Sequence, residues 1–145
     1  PDTALNLSIS HSDLITVLAL SYSSVGIDIE KVVPLKTDIW DYNDFFSDAE
    51  LAEIAESDCI DESFAVMWTR KEAHLKRRGV GIKYLKKAPC FHRSIKTIIL
   101  NSPDREKFAF SCSTDDDSLM MYRYSSDAIG KLLDIYNSVT CSMAI

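Results

Sequence analysis

Three acidic side chains carry the chemical interest of this sequence: Asp28 and Glu30 in "VGIDIE" (25–30), and Glu72 in "WTRKEAHLK" (68–76). Asp28 and Glu30 stand two residues apart. On an extended strand that spacing points both carboxylates the same way, with Cα atoms about 6.5 Å apart, while Ile27 and Ile29 anchor the other face. Two carboxylates so close repel unless water, a base or a cation lies between them. A hard divalent cation such as Mg²⁺ resolves the repulsion, because it prefers oxygen ligands and shares its shell with phosphates. An Asp-x-Glu pair is also common on ordinary strands, so alone it fits a structural pair equally well.

Glu72 changes the balance. On a helix, Trp68, Glu72 and Lys76 fall at i, i+4 and i+8 and share one face. If that face packs on the carboxylate strand, Glu72 supplies a third oxygen ligand or a base, and Lys76 reaches a phosphate. The plain alternative is a Glu72–Lys76 helix pair worth about 0.3–0.5 kcal/mol. His11, in "SISHSD", reads as following a strand into a tight turn beside Ser10 and Ser12. It is either a phosphate ligand or a polar turn residue. His74 and His92 have no partner at metal-ligand spacing.

The charge distribution narrows the partners. The net charge is −6, yet ten of the sixteen basic residues lie between Arg70 and Lys96, with Glu72 the one acid among them. A basic field inside an acidic protein suits a compact anionic ligand or an acidic partner protein. It does not suit nucleic acid, because bases interleaved with aromatics are absent, and this also argues against a metal-dependent nuclease. No apolar run approaches the roughly 20 residues of a membrane helix. Residues 1–24 lack a basic segment followed by an apolar core. The four cysteines form no CxxC pair and read as reduced thiols, so a cytoplasmic protein is expected, with no membrane contact.

The elements that must position these groups follow from periodicity. Strands are predicted over 4–10, 15–22 and 25–32, joined by connections short enough for an antiparallel meander. Leu5, Leu7 and Ile9 share one face of the first. Gly26 allows close approach of another backbone or marks a bulge. Ser47 and Glu50 form a capping box that starts a helix carrying Leu51, Ile54 and Ala55. A second helix runs from about 61 to 78, with Gly79 as its stop and a core stripe of Phe64, Met67, Trp68, the Lys71 stem and Leu75. Further strands are predicted at "IKYL" (82–85), 96–100, 108–114 and 119–125, a turn at 115–117 and a helix over 127–138. The fold class is α+β, an antiparallel sheet packed against helices in a single domain spanning 1–145.

Together these stretches resemble a known family. "LNLSISHS" (5–12), "VGIDIE" (25–30) and "WTRKEAHLKRRGVG" (68–81) are similar, in order, to three signatures of 4′-phosphopantetheinyl transferases. They fit the larger type that activates peptide and polyketide synthases. "FFSDAE" (45–50) falls where that family often has an aromatic–acidic stretch. The resemblance covers 5 to 83. It implies one lobe of the transferase fold, with 1–24 resembling the end of a first lobe and 25–145 a second. It also implies transfer of the phosphopantetheine arm of coenzyme A to a serine of an acyl or peptidyl carrier protein, releasing adenosine 3′,5′-bisphosphate.

By motif position, Asp28, Glu30 and Glu72 would hold Mg²⁺, with Mn²⁺ as the alternative, on the pyrophosphate. Glu72 would also take the serine proton, and Lys76 would stabilise or protonate the departing phosphate. Lys71, His11 and Ser10 would bind phosphate groups with Lys76, and Trp68 would support the helix. The family's two-lobed build implies that a second lobe or identical subunits complete the site. The alternative reading is a non-catalytic lobe that binds a carrier protein or partner subunit.

Overall fold

The computed structural model describes residues 4–115. Its elements run β1 (Asn6–Ser12), β2 (Ile15–Ser21), β3 (Val25–Lys31), α1 (Asp48–Ala55), α2 (Ile60–Arg78), β4 (Ile95–Asn101) and β5 (Lys107–Thr114). The architecture is α+β with antiparallel sheets, as expected. The strand predicted at 119–125, most of the turn at 115–117 and the helix at 127–138 lie outside the described residues.

Helix α1 begins at the capping box: Ser47 accepts from the Glu50 amide, and the Glu50 carboxylate accepts from the Ser47 amide. Helix α2 ends where Gly79 takes φ 66°, a left-handed conformation that glycine adopts without a Cβ clash. The segment "IKYL" is not a strand. It belongs to a 3₁₀ helix, Ile82–Lys87, whose Leu85 is buried against Leu75.

The meander is replaced by two separate sheets. β1 and β2 form an antiparallel hairpin, and β3 joins a sheet of order β3-β5-β4. His11 is not in the turn but inside β1, opposite Thr16. The turn falls on Asp13, at φ 53°.

β1 nevertheless lies along the free edge of β3, held by side chains. The hydroxyls of Ser8, Ser10 and Ser12 accept from the amides of Ile27 (3.0 Å), Ile29 (3.3 Å) and Lys31 (2.9 Å). Every second amide of β3 points away from β5 and needs an acceptor. Serines of period two supply it. The cost is that Leu7 and Ile9 point outward and are exposed, together with Leu18 and Leu20 across the hairpin.

Helix α2 is clasped between two layers. Its small residues Ala65, Thr69 and Ala73 meet a sheet face lined by Gly26, Ser113, Ser111 and Ala109. A Cβ on Gly26 would lie 2.2 Å from the Ala73 carbonyl oxygen and 2.2 Å from the Arg77 amide nitrogen, so helix and strand backbones touch there. On its other side α2 packs Phe64, Met67 and Trp68 against Phe46, Leu51 and Ile54. The opposite sheet face buries Ile27, Ile29, Phe108, Phe110 and Cys112, with Ile15, Val17 and Ala19 of the hairpin packed against them.

Candidate active site

The backbone contact at Gly26 brings the C-terminal half of α2 down beside the even-numbered face of β3. Asp28, two residues beyond Gly26, is consequently only 3% exposed. One of its oxygens, Oδ1, accepts from Lys76 Nζ at 2.6 Å and from Ser10 Oγ at 2.8 Å. Ser10 Oγ also accepts from Lys76 at 3.1 Å, which with the Ile29 amide uses the full capacity of a hydroxyl. The other carboxylate oxygen, Oδ2, is buried with no hydrogen-bond partner. Beside it, Ser12 donates to Glu30 Oε2 at 3.1 Å.

Three elements thus converge: β3 brings Asp28 and Glu30, α2 brings Glu72 and Lys76, and β1 brings Ser10 and Ser12. The three carboxylates share one electrostatic field. Burial pushes the Asp28 carboxyl above the ordinary range, against the pull of Lys76 and Ser10. Burial and then the Asp28 charge push Glu30 up, opposed by Ser12, Lys76 and His11. Glu72 is raised by burial and by Asp28 and Glu30, with Lys76 opposing. His11 is therefore close enough to act on Glu30.

Lys71 goes elsewhere. One residue from Glu72, it leaves the helix about 100° around the axis and enters the layer between α2 and α1. It is fully buried, with Nζ 2.6 Å from Glu50 Oε2 and 5.0 Å from the Phe46 ring centroid. The Cys90 thiol donates to the other Glu50 oxygen at 2.9 Å, and burial with the Glu50 hydrogen bond pushes that thiol far up. The structure therefore does not bring Lys71 to the phosphate position that the motif implied. Lys71→Met is expected to destabilise the protein by about 3 kcal/mol, because Glu50 is left half-buried without its cation. Calorimetric binding by the fraction that remains folded should show no change in phosphate-ligand affinity.

Sequence reasoning missed Ser12, and Ser8 behind it. Their signal was present as the period-two serines of "LSISHS", interleaved with Ile9 and His11. Ser10 was placed in the site, and its visible role is to orient Asp28.

Among the described residues, no three His, Cys, Asp or Glu side chains are grouped closely enough to hold a metal ion as they stand. Lys76 occupies the cation position beside Asp28. The donor set is nonetheless all carboxylate, which suits a hard cation. The unpartnered Asp28 oxygen is a buried acceptor that such a cation would satisfy, so the residues fit a divalent ion of this kind. Chemically, the cluster can bind a cation and the polyanion that cation carries.

Residues 24–125 match the family model of the 4′-phosphopantetheinyl transferase superfamily. The chain is similar to the 4′-phosphopantetheinyl transferase AcpT of Escherichia coli O157:H7, with 41% identity over 85 residues, covering 54% of this chain and 42% of that protein. It is 33% identical over 84 residues to the 4′-phosphopantetheinyl transferase Sfp of Bacillus subtilis (strain 168), covering 57% and 36%. A third relative is the 4′-phosphopantetheinyl transferase gsp of Aneurinibacillus migulanus, at 37% over 84 residues, covering 56% and 34%. The matched stretch spans less than half the length of each of these relatives.

Proposed function

This chain belongs to the 4′-phosphopantetheinyl transferase superfamily, and from that premise we propose that its carboxylate cluster serves transfer of the phosphopantetheine arm of coenzyme A to a carrier-protein serine. The observation that carries the reading is the convergence of Asp28, Glu30 and Glu72 in one field, beneath a single lysine. The serine oxygen attacks the phosphorus that bears the pantetheine, and the bond from that phosphorus to the bridging oxygen breaks. Adenosine 3′,5′-bisphosphate leaves with the electron pair.

Asp28, Glu30 and Glu72 would hold Mg²⁺, with Mn²⁺ as the alternative, which when bound neutralises pyrophosphate charge. Glu72, whose carboxyl burial and the Asp28 charge raise above its ordinary value, takes the serine proton. Lys76 stabilises the departing bisphosphate, and His11 and Ser10 would bind phosphate groups. Ser10 and Ser12 keep the strand carboxylates oriented. Lys71 has no part in the chemistry. The basic segment 70–96 would draw an acidic acyl or peptidyl carrier protein.

Because the match covers under half of its relatives' length, a second lobe is expected to complete the site. The exposed apolar face of the β1–β2 hairpin is the surface we assign to it. The same shortfall motivates the second reading, a lobe that binds a carrier protein without catalysis. Cytoplasmic location fits the free thiols of Cys59, Cys90 and Cys112, and no helix among the described residues is long and apolar enough to cross a membrane.

The test is intact-mass measurement of an apo carrier protein after incubation with the full-length protein, coenzyme A and Mg²⁺. A gain of about 340 Da is expected, the mass of the transferred arm. No gain with several carriers, alongside carrier binding that needs neither coenzyme A nor Mg²⁺, selects the non-catalytic reading.

A second prediction follows from the pKa directions. Each of the three carboxyls has a folded pKa above its ordinary value. Their contribution to stability is therefore fully present below the ordinary carboxylate range and is lost as pH rises through the raised values. At neutral pH the ionised cluster is a burden that a bound cation relieves. Mg²⁺ should raise Tm at neutral pH, EDTA should reverse the gain, and the gain should vanish by about pH 4. Thermal melts over that range check it.

A further inference from the structure

A second cavity, of about 290 Å³, lies on the far side of α2 from the carboxylates. Arg70 and His74 stand two residues either side of Glu72, which turns them about 200° around the helix axis from it. The cavity is lined by Arg70, by Phe91, His92 and Arg93 of the chain leading into β4, and by Cys90 and Ile95. The transfer chemistry above uses none of them.

Arg70 is held in place without a carboxylate. Its Nε donates to Thr97 Oγ1 at 2.9 Å, and Thr97 Oγ1 lies 2.9 Å from Ser111 Oγ. Ser111 Oγ in turn lies 2.9 Å from Thr69 Oγ1, which donates to the Val66 carbonyl at 3.1 Å. This chain of hydroxyls runs into the layer between α2 and the sheet, where Thr69 and Ser111 are fully buried. The guanidinium carbon lies 5.3 Å from the Phe91 ring centroid, so one face of Arg70 is braced as well. Nε is spent, and both terminal NH2 groups are left to donate. Among the described residues no carboxylate lies within ion-pair distance of Arg70 or Arg93. Glu50, behind Cys90, is taken by Lys71 and by the Cys90 thiol.

His92 adds a donor. Its Nδ1 accepts from the Ser94 amide at 3.2 Å, so in the neutral ring the proton sits on Nε2. His74 stands beside it, with ring centroids 6.1 Å apart, and its Nδ1 is buried with no hydrogen-bond partner. Burial and then Arg78, His92 and Arg77 hold the His74 pKa below its ordinary value, which marks an excess of positive charge on this side of α2.

We propose that this cavity is a second anion site, which binds a phosphate group independently of the carboxylate cluster. Two arginines over a single carboxylate would leave one charge uncompensated. A phosphate monoester carries about −1.5 to −2 at neutral pH and matches both. Its oxygens take the paired NH2 groups of Arg70, the Arg93 guanidinium and His92 Nε2–H, as charge-assisted bonds from two elements. Phe91 is 60% exposed, which leaves ring surface beside the cavity for an aromatic group carried on that phosphate.

The test is calorimetric titration of the full-length protein, with EDTA present so that no metal carries the ligand to the carboxylates. Inorganic phosphate and phenyl phosphate are the two probes, and both should bind. Phenyl phosphate binding about tenfold more tightly identifies a ligand with an aromatic ester group, and equal affinity identifies phosphate itself. Arg70→Lys keeps the charge but loses the fork and the Nε bond, and should weaken both probes at least about tenfold. Arg93 is exposed, so Arg93→Ala should give the same loss in a variant with little packing to disturb. Lys76→Gln, on the other side of α2, should change affinity less than about twofold.

Absence of binding by the wild type overturns the proposal. So does unchanged affinity in both arginine variants. A loss in Lys76→Gln as large as theirs overturns it too, and gives the phosphate to the carboxylate site.

Discussion

Asp28→Asn is expected to lower transferase turnover by at least about a thousandfold while the protein stays folded. Asparagine keeps the shape of the side chain, and its carbonyl oxygen still accepts from Ser10 and Lys76, as Oδ1 does at 2.8 and 2.6 Å. What disappears is the charge at the most buried member of the cluster. That charge is costly to the apo fold, since burial raises the Asp28 pKa and Lys76 only partly offsets it. The variant should therefore melt no lower than the wild type at neutral pH without Mg²⁺, and the Mg²⁺-induced rise in Tm should be lost. Paired melts and turnover measurements separate this from a folding defect. A variant that keeps both its turnover and its Mg²⁺ response would remove Asp28 from the chemistry.

Gly26→Ala is the second large effect, acting through the backbone rather than the site. The added Cβ would meet the Ala73 carbonyl oxygen at 2.2 Å, the Arg77 nitrogen at 2.2 Å and the Arg77 Cα at 2.8 Å. All three atoms belong to the backbone of α2, so no side-chain rotation relieves the overlap. Either the strand or the helix must move, and Glu72 and Lys76 ride on that helix. We expect a loss of about 3 kcal/mol or more, at the upper end for overpacked cores. Turnover should fall beyond what the folded fraction explains. Urea melts give the first quantity and activity per folded molecule the second. A melt within about 1 kcal/mol of the wild type would mean that the helix sits farther from β3.

Lys76 and Lys71 show where legibility in the sequence stopped. Helical spacing placed Lys76 on the Glu72 face, and the structure has it there, bonded to Asp28. Lys71 was read both as a core stem and as a phosphate ligand, and only the packing of Glu50, Phe46 and Cys90 around it separates the two. The first strand stopped legibility in another way. Its alternation was plain, but alternation alone does not say which side is buried. In the fold the serines face inward, because the amides of Ile27, Ile29 and Lys31 at the free edge of β3 need acceptors.

Local rules, then, lie within a single segment. The shared direction of Asp28 and Glu30, the capping box at Ser47 and Glu50 and the stop at Gly79 are each set by a few consecutive residues and their backbone geometry. Those the sequence determined by itself. Which face of β1 is buried, whether residues 82–87 extend or coil, and which lysine meets the carboxylates depend on atoms far along the chain. Periodicity tells how many faces an element has, and only the partner it packs against decides which of them becomes the site.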